Sequence, residues 1–223
     1  MSINVFGCAA GAVIVCVCSV DAGVMTYGGV NATYASARQA FLDDFESLTG
    51  EIVPLETFDG LNASLPVGDM PNNPARFAPE YADGSPAPLP VIQVFAGAPS
   101  GSQWMANFGN GRPGGASWVI RPDDPADSIY AFGQTNAQGD WVRLLGYDAN
   151  DQLVVSLDAS NAGTAFAGFI SDVPLAKVVV TPLGNGDFLN GMDDVFVSVT
   201  PVPQPGTFAA CVIAGLATVR RRR

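Results

Sequence analysis

The chain has 223 residues, a formal net charge of −11, only 14% charged residues, and many turn formers, with Gly 25 and Pro 17. That balance argues against a helical bundle and against disorder, and points to one turn-rich β domain long enough to bury a core. Without Asp21 and the four C-terminal arginines, 6 basic and 20 acidic residues remain, a net of −14, which excludes nucleic-acid binding by counterion release.

Residue types narrow the chemistry further. The chain has no His, and its 4 Cys lie at Cys8, Cys16, Cys18 and Cys211, near the two ends. The central part therefore has no disulfide, no thiolate or His-ligated zinc and no His-based acid–base pair.

Residues 1–22 read as a secretory signal. Val5 to Val20 is apolar and rich in small residues, and Val20-Asp21-Ala22 suits cleavage after Ala22. Residues 33–49 read as the one good helix: Tyr34, Ala37, Phe41, Phe45 and Leu48 share a stripe, Thr33 can cap its start, and Gly50 can end it. From Glu51 on the pattern changes to short strands, predicted at 51–58, 88–95, 116–121, 128–133, 140–148, 151–157, 163–170, 174–181 and 192–199. Asp148-Ala149-Asn150-Asp151 reads as a hairpin turn. The proline-rich stretch 66–90 reads as a long, stiffened loop and 97–115 as a Gly/Ser/Asn-rich loop. The expectation is a single antiparallel β-sandwich or jelly roll over 23–200, with a signal peptide before it and a short apolar helix after it.

Trp104 sits in the Gly-rich stretch. It has two readings: packing against the sandwich edge, or stacking on a sugar ring. Acids gather at Glu56-Thr57-Phe58-Asp59-Gly60 and at Gly191-Met192-Asp193-Asp194-Val195. They are either ordinary turn acids or oxygen donors for calcium, which takes six to eight oxygens. First and last strands lying side by side would bring Asp59 near Asp193 and Asp194. No pair of acids is spaced to mark a glycosidase site.

The last segment, 201–223, is the most specific. Val202-Pro203-Gln204-Pro205-Gly206 is followed by an apolar run from Thr207 to Val219 and by Arg220-Arg221-Arg222-Arg223. A helix over those 13 apolar residues is about 20 Å long, shorter than the roughly 30 Å core of a bilayer. The terminal arginines are expected to stay cytoplasmic, leaving the domain outside. This arrangement resembles the PEP-CTERM sorting signal of bacteria, with Gln204 where that family usually has Glu. The resemblance implies handling by an exosortase, transient holding in the inner membrane, and delivery to the envelope or extracellular matrix. The middle of the chain resembles secreted bacterial jelly-roll domains and calcium-bearing carbohydrate-binding sandwiches, on Thr57-Phe58-Asp59-Gly60, Ala167-Gly168-Phe169-Ile170-Ser171-Asp172 and Met192-Asp193-Asp194-Val195. That likeness implies one structural Ca²⁺ held through Asp59, Asp193 and Asp194. The functional expectation is a non-catalytic envelope or matrix sandwich that binds extracellular polysaccharide or adheres. The alternative is an extracellular Asp/Glu-dependent polysaccharide hydrolase.

Overall fold

The computed structural model describes residues 23–61, 68–81, 84–89, 91–94, 101, 103–107, 116–137, 142–159, 164–182 and 190–203. The leader 1–22 and the tail 204–223 lie outside the described residues. The chain opens with strand β1 (Val24–Val30), a short 3-10 turn (Asn31–Thr33) and helix α1 (Tyr34–Thr49). Then follow β2 (Leu55–Glu56), β3 (Ala75–Phe77), β4 (Glu80–Tyr81), β5 (Val91–Val94), β6 (Gln103–Asn107) and β7 (Ala116–Pro122). The last six strands are β8 (Ile129–Ala137), β9 (Val142–Tyr147), β10 (Leu153–Ala159), β11 (Ala165–Leu175), β12 (Lys177–Pro182) and β13 (Asn190–Ser198).

The helix forms where the apolar stripe predicts it. Phe41 and Phe45 are fully buried, with Tyr34, Ala37 and Leu48 packed around them. Gly50 ends the helix in the left-handed region at φ 73, returning its N–H to Glu46 O. Thr33 stands at the cap position, but its hydroxyl turns back on Val30, donating to the carbonyl oxygen and accepting from the N–H.

Two antiparallel sheets face each other. The first runs β1-β11-β8-β13-β6-β5, with β2 paired to β13; the second runs β10-β9-β12-β7-β3, with β4 paired to β7. Met105, Phe132, Phe169, Met192 and Val195 of the first sheet meet Phe77, Trp118, Ile120, Leu144 and Val178 of the second in one core. Helix α1 covers the outer face of the first sheet, where Tyr27, Phe41, Phe45, Phe166, Ile170 and Phe196 form a second core. The order is thus helix, sheet, sheet. It explains why β11 is buried at seven successive positions, Ala165 to Ser171, instead of alternating.

Four expectations need correction. β1 precedes the helix where no strand was predicted; its Gly28-Gly29 pair hides the β pattern, and Gly29 lets the helix start approach, since a Cβ there would lie 2.5 Å from Thr33 O. The proline-rich stretch is not all loop. Pro74 and Pro79 flank β3; β3 and β4 both pair with β7, and single bridges join Arg76 to Asp69 and Glu80 to Pro86. The Gly-rich stretch contains β6, which pairs with β5 and β13. The predicted strand 51–58 is reduced to Leu55–Glu56. The Asp148 hairpin forms as expected: Asp148 Oδ1 accepts from Asn150 N at 2.8 Å and Gln152 N at 2.9 Å, and Asp151 takes φ 58.

Candidate functional site

Strand β13 is the seam along which the acidic residues gather. Its pairing with β8 slips between Asp193 and Phe196, and Asp194 sits at φ 42, so the strand carries a bulge at the two acids. Both acids are buried. Asp193 Oδ1 accepts from Asp194 N at 2.9 Å. Asp194 Oδ2 lies 3.5 Å from Arg38 Nε, and the Arg38 guanidinium lies 5.0 Å from the Phe196 ring centre. Arg38 is the residue after Ala37, at the border of the buried helix stripe, so its stem follows the apolar face while its head reaches the bulge. Asp194 Oδ1 and Thr135 Oγ1 are buried with no hydrogen-bond partner among the described residues.

One step further along β13, β2 pairs antiparallel with Val195 and Phe196. Glu56 is 2% exposed, and its carboxylate accepts three hydrogen bonds: from Phe58 N at 2.8 Å and from Asn72 N and Asn72 Nδ2 at 3.1 Å each. Asn73 Nδ2 donates to Val195 O at 2.9 Å. Glu56 therefore ties two loops to the last strand. Asp59 follows in an exposed turn. Its carboxylate lies over Gly101, where a Cβ would meet Asp59 Oδ2 at 1.7 Å. Gln103 bridges the same turn, accepting from Gly60 N and donating to Leu61 O.

The predicted neighbours are thus in place, since β2 lies beside β13. The cation site that the resemblance implied at Asp59, Asp193 and Asp194 is not assembled. Asp59 is held against Gly101, Asp194 faces Arg38, and no group of three or more His, Cys, Asp and Glu able to hold a metal occurs among the described residues. These three acids do not form a donor set that fits calcium. Trp104 lies within β6, opposite Gln93 of β5, rather than in a loop. Its side chain lies outside the described residues.

The face of the second sheet turned away from the core carries charge, although Val119 on it is buried. Register across it aligns Arg76 with Arg121 and Lys177 with Tyr147, and Tyr147 with Leu153. Lys177 Nζ lies 5.1 Å from the Tyr147 ring centre and 2.6 Å from Asp151. Arg143 grips Asp158 with two hydrogen bonds, one of them 2.8 Å, and that grip holds the Asp158 carboxyl below its ordinary value. The Lys177 ammonium does the same to Asp151. Leu153 is 54% exposed. Four of the six basic residues before the tail lie on this sheet: Arg76, Arg121, Arg143 and Lys177. Paired charges thus lie beside a half-exposed tyrosine, which can offer a ring face and hydrogen-bond donors together.

The sequence reading placed Glu56 among the acids near Asp59 without a role, and did not single out Arg38 or Tyr147. Only Glu56 carried a usable signal: an acid on a strand that alternates toward the core must find partners or be exposed. Of the sorting residues, Val202 is buried in the helix-side core and Pro203 is exposed. Thr200 Oγ1 donates to Glu51 Oε2 at 2.7 Å. Gln204, Pro205, Gly206 and Arg220 to Arg223 lie outside the described residues. No described helix is long and apolar enough to cross a membrane.

Comparison with known proteins found no matching family model and no matching curated protein. Among solved structures, the chain is similar to the C-terminal family 22 carbohydrate binding module of Clostridium thermocellum Xyn10B. Identity is 11%, coverage is 67% of this chain and 93% of that one, and the TM-score is 0.38. It is also similar to a glycoside hydrolase family 43 arabinoxylan arabinofuranohydrolase from Bacillus subtilis, at 14% identity, 58% and 33% coverage, and TM-score 0.33.

Proposed function

We propose that this chain is an exported β-sandwich, sorted to the cell envelope or extracellular matrix by its C-terminal segment, where it acts as a non-catalytic module that binds polysaccharide. The observation that carries the reading is the order of the C-terminal residues. Val202 packs into the helix-side core, and Pro203-Gln204-Pro205-Gly206, the apolar run and the arginine cluster follow it in sequence. An exosortase-type enzyme is the partner that such a tail suits, and the inner membrane is where the tail waits for it. The polysaccharide half is supported by the charged sheet face, where half-exposed Tyr147 lies beside Lys177 and the exposed Leu153.

Two measurements test the two halves. Deleting 204–223 in an exporting bacterial host should move the protein from the envelope fraction to the medium or stall it before sorting; unchanged localisation would refute sorting by the tail. Sedimentation with the host's own matrix polysaccharide should carry the protein down, and Tyr147→Ala should weaken that by roughly 5- to 30-fold, the range for one aromatic contact. Equal sedimentation by the variant would remove the sheet face as the binding surface.

A further inference from the structure

The start of the fold carries a feature that the export reading does not use. Gly23 is buried at the beginning of the first sheet, at φ +113. Its carbonyl oxygen accepts from Asp172 N at 2.7 Å, extending the ladder in which Val24 faces Ser171. A Cβ on Gly23 would lie 1.9 Å from Asp172 Oδ1, 2.9 Å from its carboxyl carbon and 3.3 Å from Oδ2. A Cβ is about 2.5 Å from its own backbone nitrogen, so Asp172 Oδ1 lies within about 4.4 Å of Gly23 N. The positive φ favours glycine here, and the Asp172 carboxylate occupies the place a Cβ would take.

Gly23 also follows Ala22, the small residue after which the leader is expected to be cut. The geometry points to Asp172 as the built receptor for a new α-ammonium group, created when the Ala22–Gly23 peptide bond is hydrolysed. Water adds across the C–N bond in the active site of a membrane-bound signal peptidase. Its oxygen leaves with the Ala22 carboxylate, and the Gly23 nitrogen takes up protons to become –NH3⁺. In the precursor that nitrogen is a neutral amide. After the cut it is a cation held by the β1–β11 ladder beside a carboxylate. The edge strand β1 thereby gains an ionic tie that the precursor lacks, so processing and the final stability of the sheet are coupled. This inference rests on the export reading and adds a residue and a charge to it.

The test uses the protein secreted and processed by the host. Mass spectrometry of its N-terminus should give Gly23. Lys177 is the chain's single lysine. In a Lys177→Arg background the N-terminus is therefore the only amine, and acetylation neutralises it alone. Acetylation should lower Tm by about 1–3 °C at low salt, the size of a partly exposed ion pair in a domain of this length. Asp172→Asn should lower Tm by a similar amount and make acetylation silent, and high salt should shrink both effects. An N-terminus at any other residue would overturn the cleavage site and the pairing with it. A Gly23 N-terminus whose acetylation costs as much in Asp172→Asn as in the parent would overturn the pairing alone and leave export standing.

Discussion

At the residue scale, the polar groups buried beside β13 hold the design together. Glu56 is an acid in a nearly closed site, tolerated because three donors converge on it. Glu56→Ala would leave Phe58 N buried without its acceptor, at about 1–3 kcal/mol, and would release the part-buried Asn72 N. We expect a loss of about 1–3 kcal/mol, read as a fall in the urea midpoint of unfolding with an unchanged slope. An unchanged midpoint would mean that the two loops are held by other contacts. The sequence shows the acids around Asp59 and Asp193 but not their partners. Arg38, Asn72 and Gly101 come from the helix and from loops far along the chain, and only the folded path brings them in.

At the element scale, helix α1 was fully legible and the short strands were not. The helix announces itself through five residues on one stripe. β3, β4 and β6 are 3, 2 and 5 residues long, too short for a period of two to stand out among Gly and Pro. β1 was missed because two glycines interrupt it. The same small residues serve the packing. Gly133 and Gly168 face each other across β8 and β11, and a Cβ on Gly133 would lie 2.9 Å from the Phe166 ring and 3.3 Å from Phe41. Phe41 docks into that hollow against Tyr27, Phe166 and Phe196, with ring centres 5.5 to 5.9 Å apart. Phe41→Ala should cost about 3–5 kcal/mol and loosen the helix from the sheet. Hydrogen exchange is the direct check: amides of α1 should lose protection before those of β7 and β12, and uniform loss would show that helix and sandwich unfold as one unit.

At the scale of the whole molecule, the sandwich class was readable from turn punctuation and strand count, whereas the three-layer order was not. The two sheets are woven from strands distant in sequence, as where β1 pairs with β11. Charge acts at this scale too. Arg143 holds the Asp158 carboxyl below its ordinary value, and Lys177 does so for Asp151. Such depressed groups stabilise the fold above the ordinary carboxylate range, near pH 4, and that contribution is lost as pH falls through their lowered values. Asp123 works the other way: burial, with Asp69 nearby, pushes its carboxyl up, so its protonation relieves a cost. Tm should therefore fall as pH drops below about 4, and fall less in Asp158→Asn with Asp151→Asn. An equal fall in both proteins would assign the acid limb to other groups.

The layer order also gives the molecule a front and a back. Val202, where the chain leaves the fold, is packed on the helix side, while Tyr147, Lys177 and Arg143 lie on the far side of the second sheet. A body hung by its C-terminus from any surface turns its helix inward and shows the charged sheet to the surroundings, like a shield on a strap.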